Sequence, residues 1–361
     1  MKKILAIAVA FAMMMCFSSC GSQNDQNAET EEGTTEVSLI IQGTIDDGGF
    51  NQTTWESIES FCDDKDISCG YYVVKGTDVD KVTKTVDEAI ANKGKLLIFA
   101  GSPFEKAVFD LQEKYEDNYF YLIDGVPNDG NNNFKQTDNS ISVLFAEEEA
   151  GYLAGYAAVT DGYRNLGFMG GKDIPSVKRY GYGFIQGASA AASEMGIKYE
   201  ININYTYTNS FEGSDEVQAE AEKWYDGGVE VIFSCGGGII KSVIAAADAK
   251  DGKIIGVDAD QSGLSGRIIT SAEKGIGAAI DDVLKEYNRG NFIGNNVFKY
   301  TAANDGVGLE MDNGRFKKFN QSTYDEIFQQ IKEGSVTIKK DTDVKSVKDL
   351  AEGKVKVHFK K

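Results

Sequence analysis

Leu96-Leu97-Ile98-Phe99-Ala100-Gly101-Ser102 and, one helical segment later, Tyr119-Phe120-Tyr121-Leu122-Ile123-Asp124-Gly125 decide the fold of this chain. Each is a short apolar run without alternation, closed at once by glycine or by an acid. Such runs are strands buried on both faces, as in a parallel sheet covered by helices. Between them Phe104, Ala107, Val108, Leu111 and Tyr115 recur at three- and four-residue spacing, which predicts an amphipathic helix. A strand, a helix and a second strand in the same direction make a parallel crossover unit.

The same alternation runs outward in both directions. Upstream, a strand at 37–43 leads through a glycine-rich loop to a helix with Trp55, Ile58 and Cys62 on one face, and Val79, Val82, Val86 and Ala89 mark the next helix. Downstream, the pattern predicts strands at 166–169, 199–205, 229–233, 253–257 and 267–270. Helices are predicted at 147–159, 177–195, 214–226, 239–250 and 273–287. This exceeds one small doubly wound sheet, so two α/β lobes are expected. In open parallel sheets ligands lie beyond the carboxyl ends of the strands, which puts the site in the cleft between the lobes.

The N-terminus reads as an export signal. Lys2 and Lys3 precede an apolar run from Ile4 to Met15, and Phe17-Ser18-Ser19-Cys20 follows. A cysteine directly after small residues marks a lipoprotein signal, with residues 1–19 removed and Cys20 acylated; Cys16, behind the bulky Met13 to Met15, suits processing less well. Residues 20–36 carry few apolar side chains and are expected to be a flexible tether off the membrane. No later stretch approaches the ~20 apolar residues of a membrane span. The net charge of −19 repels nucleic acid and excludes it as a partner.

The chain has one histidine, His358, in its Lys-rich tail, which excludes Ser–His triads, His-based zinc sites and His acid–base catalysis. Cys62 and Cys69 are spaced to pair across a helix-to-strand turn or to serve as two small buried side chains, and Cys235 is expected in the core.

Five loops at predicted strand ends carry acids or glycines: Asp46-Asp47-Gly48-Gly49-Phe50-Asn51, Gly101-Ser102, Asp124-Gly125, Cys235-Gly236-Gly237-Gly238 and Asp258-Ala259-Asp260. Any one of them is ordinary turn chemistry; five at one edge point to a ligand cleft. Gly170-Gly171-Lys172 lacks the earlier glycine and following hydroxyl of a phosphate loop, and an Asp-rich cleft repels a polyphosphate. Neutral, hydroxyl-bearing ligands suit it, because carboxylates bond sugar hydroxyls strongly.

On these residues the chain resembles the basic-membrane-protein family, lipoprotein substrate-binding components of ABC importers whose typical ligands are purine nucleosides. The resemblance runs through Asp46 to Gln52 with Trp55-Glu56, Leu122 to Gly125, Phe145 to Tyr156, Gly167 to Gly171, Ile255 to Gln261 and Thr270 to Lys274. It covers roughly residues 37–310. It departs at Gly49, where the family often has Ser, and at Ser57, where Gly commonly follows Trp-Glu. The implied fold is α/β, of the two-lobed periplasmic-binding type I, with three crossings between lobes. Lobe 1 is then expected at 37–142 and 262–300, lobe 2 at 143–261 and 301–335, with 336–361 an extension of no assigned role.

The resemblance also implies a site. Asp47 and Asn51 would bond the polar edge of the base, Phe50 and Phe211 would stack on its two faces, and Asp124, the backbone at Gly237, Asp258 and Lys274 would hold the ribose. Asp260 is as well placed by sequence as Asp258, which is preferred as the first residue out of its strand. The implied protein is a monomeric receptor, anchored through Cys20 on the extracytoplasmic face of the cell membrane. It needs no cofactor or metal and works with separate permease and ATPase chains. Two rivals stand beside it: a receptor for another small molecule, such as a sugar or signalling compound, and a nucleoside hydrolase using Asp46, Asp47, Asp258 and Asp260 with bound Ca²⁺.

Overall fold

A computed structural model describes residues 34–360; the signal peptide, Cys20 and most of the tether lie outside the described residues. The first half alternates strand and helix: β1 (Val37–Ile41), α1 (Phe50–Lys65), β2 (Cys69–Val73), α2 (Val79–Ala91), β3 (Leu96–Ala100), α3 (Glu105–Lys114), β4 (Tyr119–Ile123) and β5 (Ser140–Phe145). The second half continues with α4 (Glu147–Asp161), β6 (Asn165–Gly170), α5 (Pro175–Glu194), β7 (Ile201–Tyr207), α6 (Asp215–Asp226), β8 (Val231–Cys235), α7 (Ile239–Lys250) and β9 (Lys253–Asp258). After it come β10 (Ile268–Lys274), α8 (Ile276–Asn288), β11 (Asn296–Tyr300), β12 (Val307–Leu309), α9 (Gln321–Lys332) and β13 (Val355–Lys360).

Among the described residues these strands form two sheets, ordered β11-β5-β4-β3-β1-β2 and β12-β10-β9-β8-β6-β7-β13. All pairings are parallel except β12 against β10. The five principal strands of each sheet follow the order 2-1-3-4-5, so each lobe has its own switch point, after β1 and β3 in lobe 1 and after β6 and β8 in lobe 2. The apolar runs give strands buried along their length: Leu96 to Phe99 and Phe120 to Ile123 are fully covered. No described helix is long and apolar enough to cross a membrane.

The lobe boundaries differ from expectation. β5 stays in sheet 1 through Phe145, paired with β4 and β11, and the chain enters lobe 2 only at Glu147. β10, expected in lobe 1, lies beside β9 in sheet 2, and the return crossing comes at Gly275. Residues 336–361 are no separate extension, since β13 pairs with β7 and closes sheet 2 on that side. The helix expected at 273–287 begins at Ile276, and Glu273 and Lys274 finish a strand. Cys62, Cys69 and Cys235 are free thiols.

Helices α4 and α5 touch backbone to backbone. A methyl group at Gly155 would lie 2.0 Å from the Phe184 carbonyl oxygen, and one at Gly187 would lie 1.9 Å from that of Tyr152. Glycine is therefore the residue that lets these helices meet. Their contact fixes the N-termini of both helices at the cleft.

Candidate ligand-binding cleft

The loops at the carboxyl ends of the two sheets face each other across a cavity that opens to solvent. Asp47, Phe50, Asn51 and Asp124 line it from lobe 1; Phe211, Gly237, Asp258 and Lys274 line it from lobe 2. All eight residues singled out from the sequence thus meet at one place. Asp260 does not: it is exposed and accepts from Ser262 and Asn313. Asp46 is also off the cavity, bonded to Thr44. The four acids that a hydrolase would bring together around a cation therefore do not converge.

Asp47 caps α1. Its Oδ1 accepts from the Gly49 and Gln52 N–H groups at 2.9 and 3.1 Å, and its Oδ2 from Asn51 N–H at 3.1 Å. These are the orphan donors of a helix start, where a carboxylate also meets the positive end of the helix dipole. Burial pushes the Asp47 pKa up against those N–H bonds. Asn51 donates both amide hydrogens to the carbonyls of Gln42 (2.8 Å) and Thr44 (3.0 Å). Two carbonyl partners admit only the NH₂ end, so Oδ1 is what remains free. Both residues therefore offer acceptors.

Phe50 and Phe211, half-buried, line the cavity from opposite lobes. Phe211 lies on the backbone of the two lobe 2 switch-point loops, where a methyl at Gly171 would be 2.4 Å from its ring. Lys172 stands 5.2 Å from the Phe211 ring centroid at the rim.

Beneath the rings is a buried charge cluster. Lys274, 2% exposed, donates to Asp124 Oδ2 and stands 3.4 Å from Glu147 Oε1 and 3.5 Å from Asp258 Oδ1. Its ammonium also lies 5.1, 5.4 and 5.5 Å from the rings of Phe50, Tyr180 and Phe145, close enough for cation–π attraction. Burial works against its charge, but Asp124, Asp258 and Glu147 outweigh it and hold the Lys274 pKa above the ordinary value. Burial raises Asp258 to about 6 despite Lys274, with Asp124 and Asp47 adding to the rise. Burial likewise raises Glu147, opposed by Lys274. Asp124 and Asp258 both adopt left-handed backbone, φ 61° and 69°, which aspartate tolerates better than most residues. Asp124 Oδ1 is buried with no hydrogen-bond partner among the described residues. An orphaned buried acceptor costs about 1–3 kcal/mol, and this one is open to a donor within the cleft.

Sequence reasoning missed Gln42, Tyr180, Glu147 and Arg179. Tyr180 is fully buried, its hydroxyl 3.4 Å from both Asp258 Oδ1 and the Ala272 carbonyl. The available signal was the basic pair Lys178-Arg179 near the start of helix α5.

Two α/β lobes closing on a mostly apolar slot with a few placed polar groups define a ligand-binding protein of the periplasmic-binding type. Solved structures support the fold. The chain is similar to an ABC transporter solute-binding protein from Aeropyrum pernix K1, with TM-score 0.67 and 20% identity over 83% of this chain and 87% of that one. A solute-binding protein from Conexibacter woesei DSM 14684 gives 0.66 and 20% over 85% and 99%. Residues 34–348 match the Bmp family, ABC transporter substrate-binding proteins of the PnrA-like type, and the chain belongs to that family. Its relatives include the ABC transporter nucleoside-binding protein BmpA of Lactococcus lactis subsp. cremoris (strain MG1363), 26% identical over 86% of this chain and 92% of that protein. Basic membrane protein B of Borreliella burgdorferi is 29% identical over 78% and 82%. Substrate-binding proteins of ABC transporters, the class to which this family belongs, act on the extracytoplasmic side.

Proposed function

We propose that this chain is a lipid-anchored receptor that closes on a purine nucleoside and delivers it to an ABC permease and its ATPase. The observation that carries the reading is the pairing of two chemistries in one cleft. Phe50 and Phe211 line it from opposite lobes, while Asp124, Asp258 and Lys274 form a polar floor with one unfilled acceptor. Aromatic faces offer a flat base stacking worth about 1–3 kcal/mol. Carboxylates give the ribose hydroxyls charge-assisted acceptors, and the Gly237 backbone, at φ 52°, completes that side. Asp47 Oδ2 and Asn51 Oδ1 would accept from N–H groups on the base edge. The lactococcal relative is named a nucleoside-binding protein, which supports the same ligand class.

Closure is a hinge motion stabilised by contacts that ligand makes with both lobes. The lobes already touch where Lys241 Nζ donates to the Asp46 carbonyl (3.0 Å) and Gln261 Nε2 to that of Gly48 (2.7 Å). Thermal melting of the protein with guanosine, inosine and adenosine tests the ligand: a rise with at least one is expected, and none with any of them overturns the assignment. Mass spectrometry of the membrane fraction tests the anchor, with acylated Cys20 at the mature N-terminus expected.

A further inference from the structure

We infer that Arg179 and Asp341 are positioning residues for Lys274: the segment after α9 holds Arg179 against Glu147, and Glu147 in turn fixes the ammonium between Asp124 and Asp258. The inference rests on the reading of the cleft as a binding site.

The chain of contacts is continuous. Asp341 Oδ1 accepts from Arg179 Nε at 2.9 Å, Arg179 Nη1 lies 3.5 Å from Glu147 Oε2, and Glu147 Oε1 lies 3.4 Å from Lys274 Nζ. Along this path the side chains go from 13% and 20% exposed at Asp341 and Arg179 to 1% at Glu147 and 2% at Lys274. A partly exposed pair, Asp341 and Arg179, is thus connected through ionic contacts to the fully buried pair Glu147 and Lys274 at the cleft floor.

The segment is held so that Asp341 arrives at the right place. The Gln186 amide satisfies both backbone groups of Lys339, accepting from its N–H at 2.8 Å and donating to its carbonyl at 2.9 Å. Two residues on, Asp341 meets Arg179, and Lys340 reaches Glu148 Oε1 at 3.1 Å. Beyond, buried Val347 and Leu350 and the β13–β7 pairing tie the segment down. The segment is thus a strap across α5, pinned by ionic as well as apolar contacts.

The geometry also explains why one lysine needs such support. Three carboxyl groups lie within 3.5 Å of the Lys274 ammonium, and a second cation beside them lowers the cost of burying their charge. Arg179 supplies that cation from the far side of Glu147. Glu147 opens lobe 2 directly after the first crossing, and Lys274 is the last strand residue before the second. The contact therefore joins two of the three hinge strands, and its loss would loosen the ammonium just where the lobes pivot.

Two measurements on Asp341→Asn and Arg179→Gln test this, each made with Glu147 present and in a Glu147→Gln background. The first needs no ligand: the ammonium resonance of Lys274 in ¹⁵N-lysine-labelled protein, assigned by Lys274→Arg. Both substitutions should shift or broaden it when Glu147 is present and leave it unmoved in Glu147→Gln. A signal indifferent to both, or moved equally in the two backgrounds, overturns the inference. The second is inosine affinity by equilibrium dialysis, expected to weaken about fivefold or more only when Glu147 is present, because residues in one network couple. Equal losses in both backgrounds would make the strap merely structural. If the resonance behaves as expected and inosine binds no form, the nucleoside reading fails and the brace stands. Should Arg179→Gln not fold, Arg179→Lys, which cannot hold both carboxylates in a fork, must give the same pattern.

Discussion

Lys274, at the end of β10 in lobe 2, donates a hydrogen bond to Asp124, at the end of β4 in lobe 1, and both side chains are buried. One lysine thus belongs to the hinge and to the cleft floor at once. Its second and third carboxylates come from lobe 2, Asp258 at 3.5 Å and Glu147 at 3.4 Å. The Lys274–Asp124 contact thus ties the two lobes together at the floor of the cleft.

Replacing Lys274 by Met leaves three buried carboxylates without their shared cation. Removing one partner of a buried pair costs about 3–5 kcal/mol. Urea unfolding should show that loss, and nucleoside binding should vanish with it. A fully stable Lys274→Met protein would mean that the cluster carries no net charge to balance.

Asp124→Asn and Asp258→Asn keep shape and remove charge. A hydrogen bond to a charged group contributes about 1.5–3 kcal/mol, so nucleoside affinity should fall roughly 10- to 150-fold in each. Calorimetric titration measures it, and unchanged affinity in both would take the carboxylates out of the site.

The pH response follows from Asp258. Its pKa rises from the ordinary 3.8 to about 6 on burial, so between those values the folded protein holds the proton more tightly than the unfolded chain. This carboxyl therefore destabilises the fold as pH rises through the window, by about 1.4 kcal/mol for each pH unit crossed. Asp258→Asn, which mimics the protonated group, should melt higher than the parent at pH 7.5, with the gap narrowing as pH falls below about 6 and closing only as it approaches 3.8. A gap independent of pH would contradict this. Ligand bound by the ionised form should weaken as pH falls below about 6.

Gly155→Ala tests the helix contact beneath the cleft. Its methyl would meet the Phe184 carbonyl at 2.0 Å, and overpacking of this kind costs about 1–3 kcal/mol. A lowered melting temperature is expected, while an unchanged one would show that α4 and α5 separate freely.

The strands of both sheet centres were legible because burial on both faces leaves an unbroken apolar run, as in Leu96–Ala100. β2, β11, β12 and β13 were not: they are edge strands, and β11 and β13 leave residues such as Val297, Phe298 and Lys356 outward. β5 also escaped although it is interior, because Ser140 and Ser142 interrupt its apolar run. Glu273 and Lys274 looked like the solvated first turn of the helix that follows; they instead close β10, where Lys274 is buried among three carboxyl groups. The cleft residues were found through the loops and the family resemblance together. Arg179, Glu147 and Tyr180 escaped because they sit on helices, where a polar residue reads as a solvated face until the partner helix is known. The glycines of α4 and α5 escaped for the same reason, since their purpose appears only when the helices meet.

The most direct test of the nucleoside reading is calorimetric titration of the protein, freed of its signal, with guanosine, inosine and adenosine, set against free ribose and the Phe50→Ala variant. One equivalent of at least one nucleoside should bind, free ribose should not, and Phe50→Ala should weaken binding by about 1–3 kcal/mol through lost stacking. Silence toward all three nucleosides, or equal affinity for ribose alone, would contradict it.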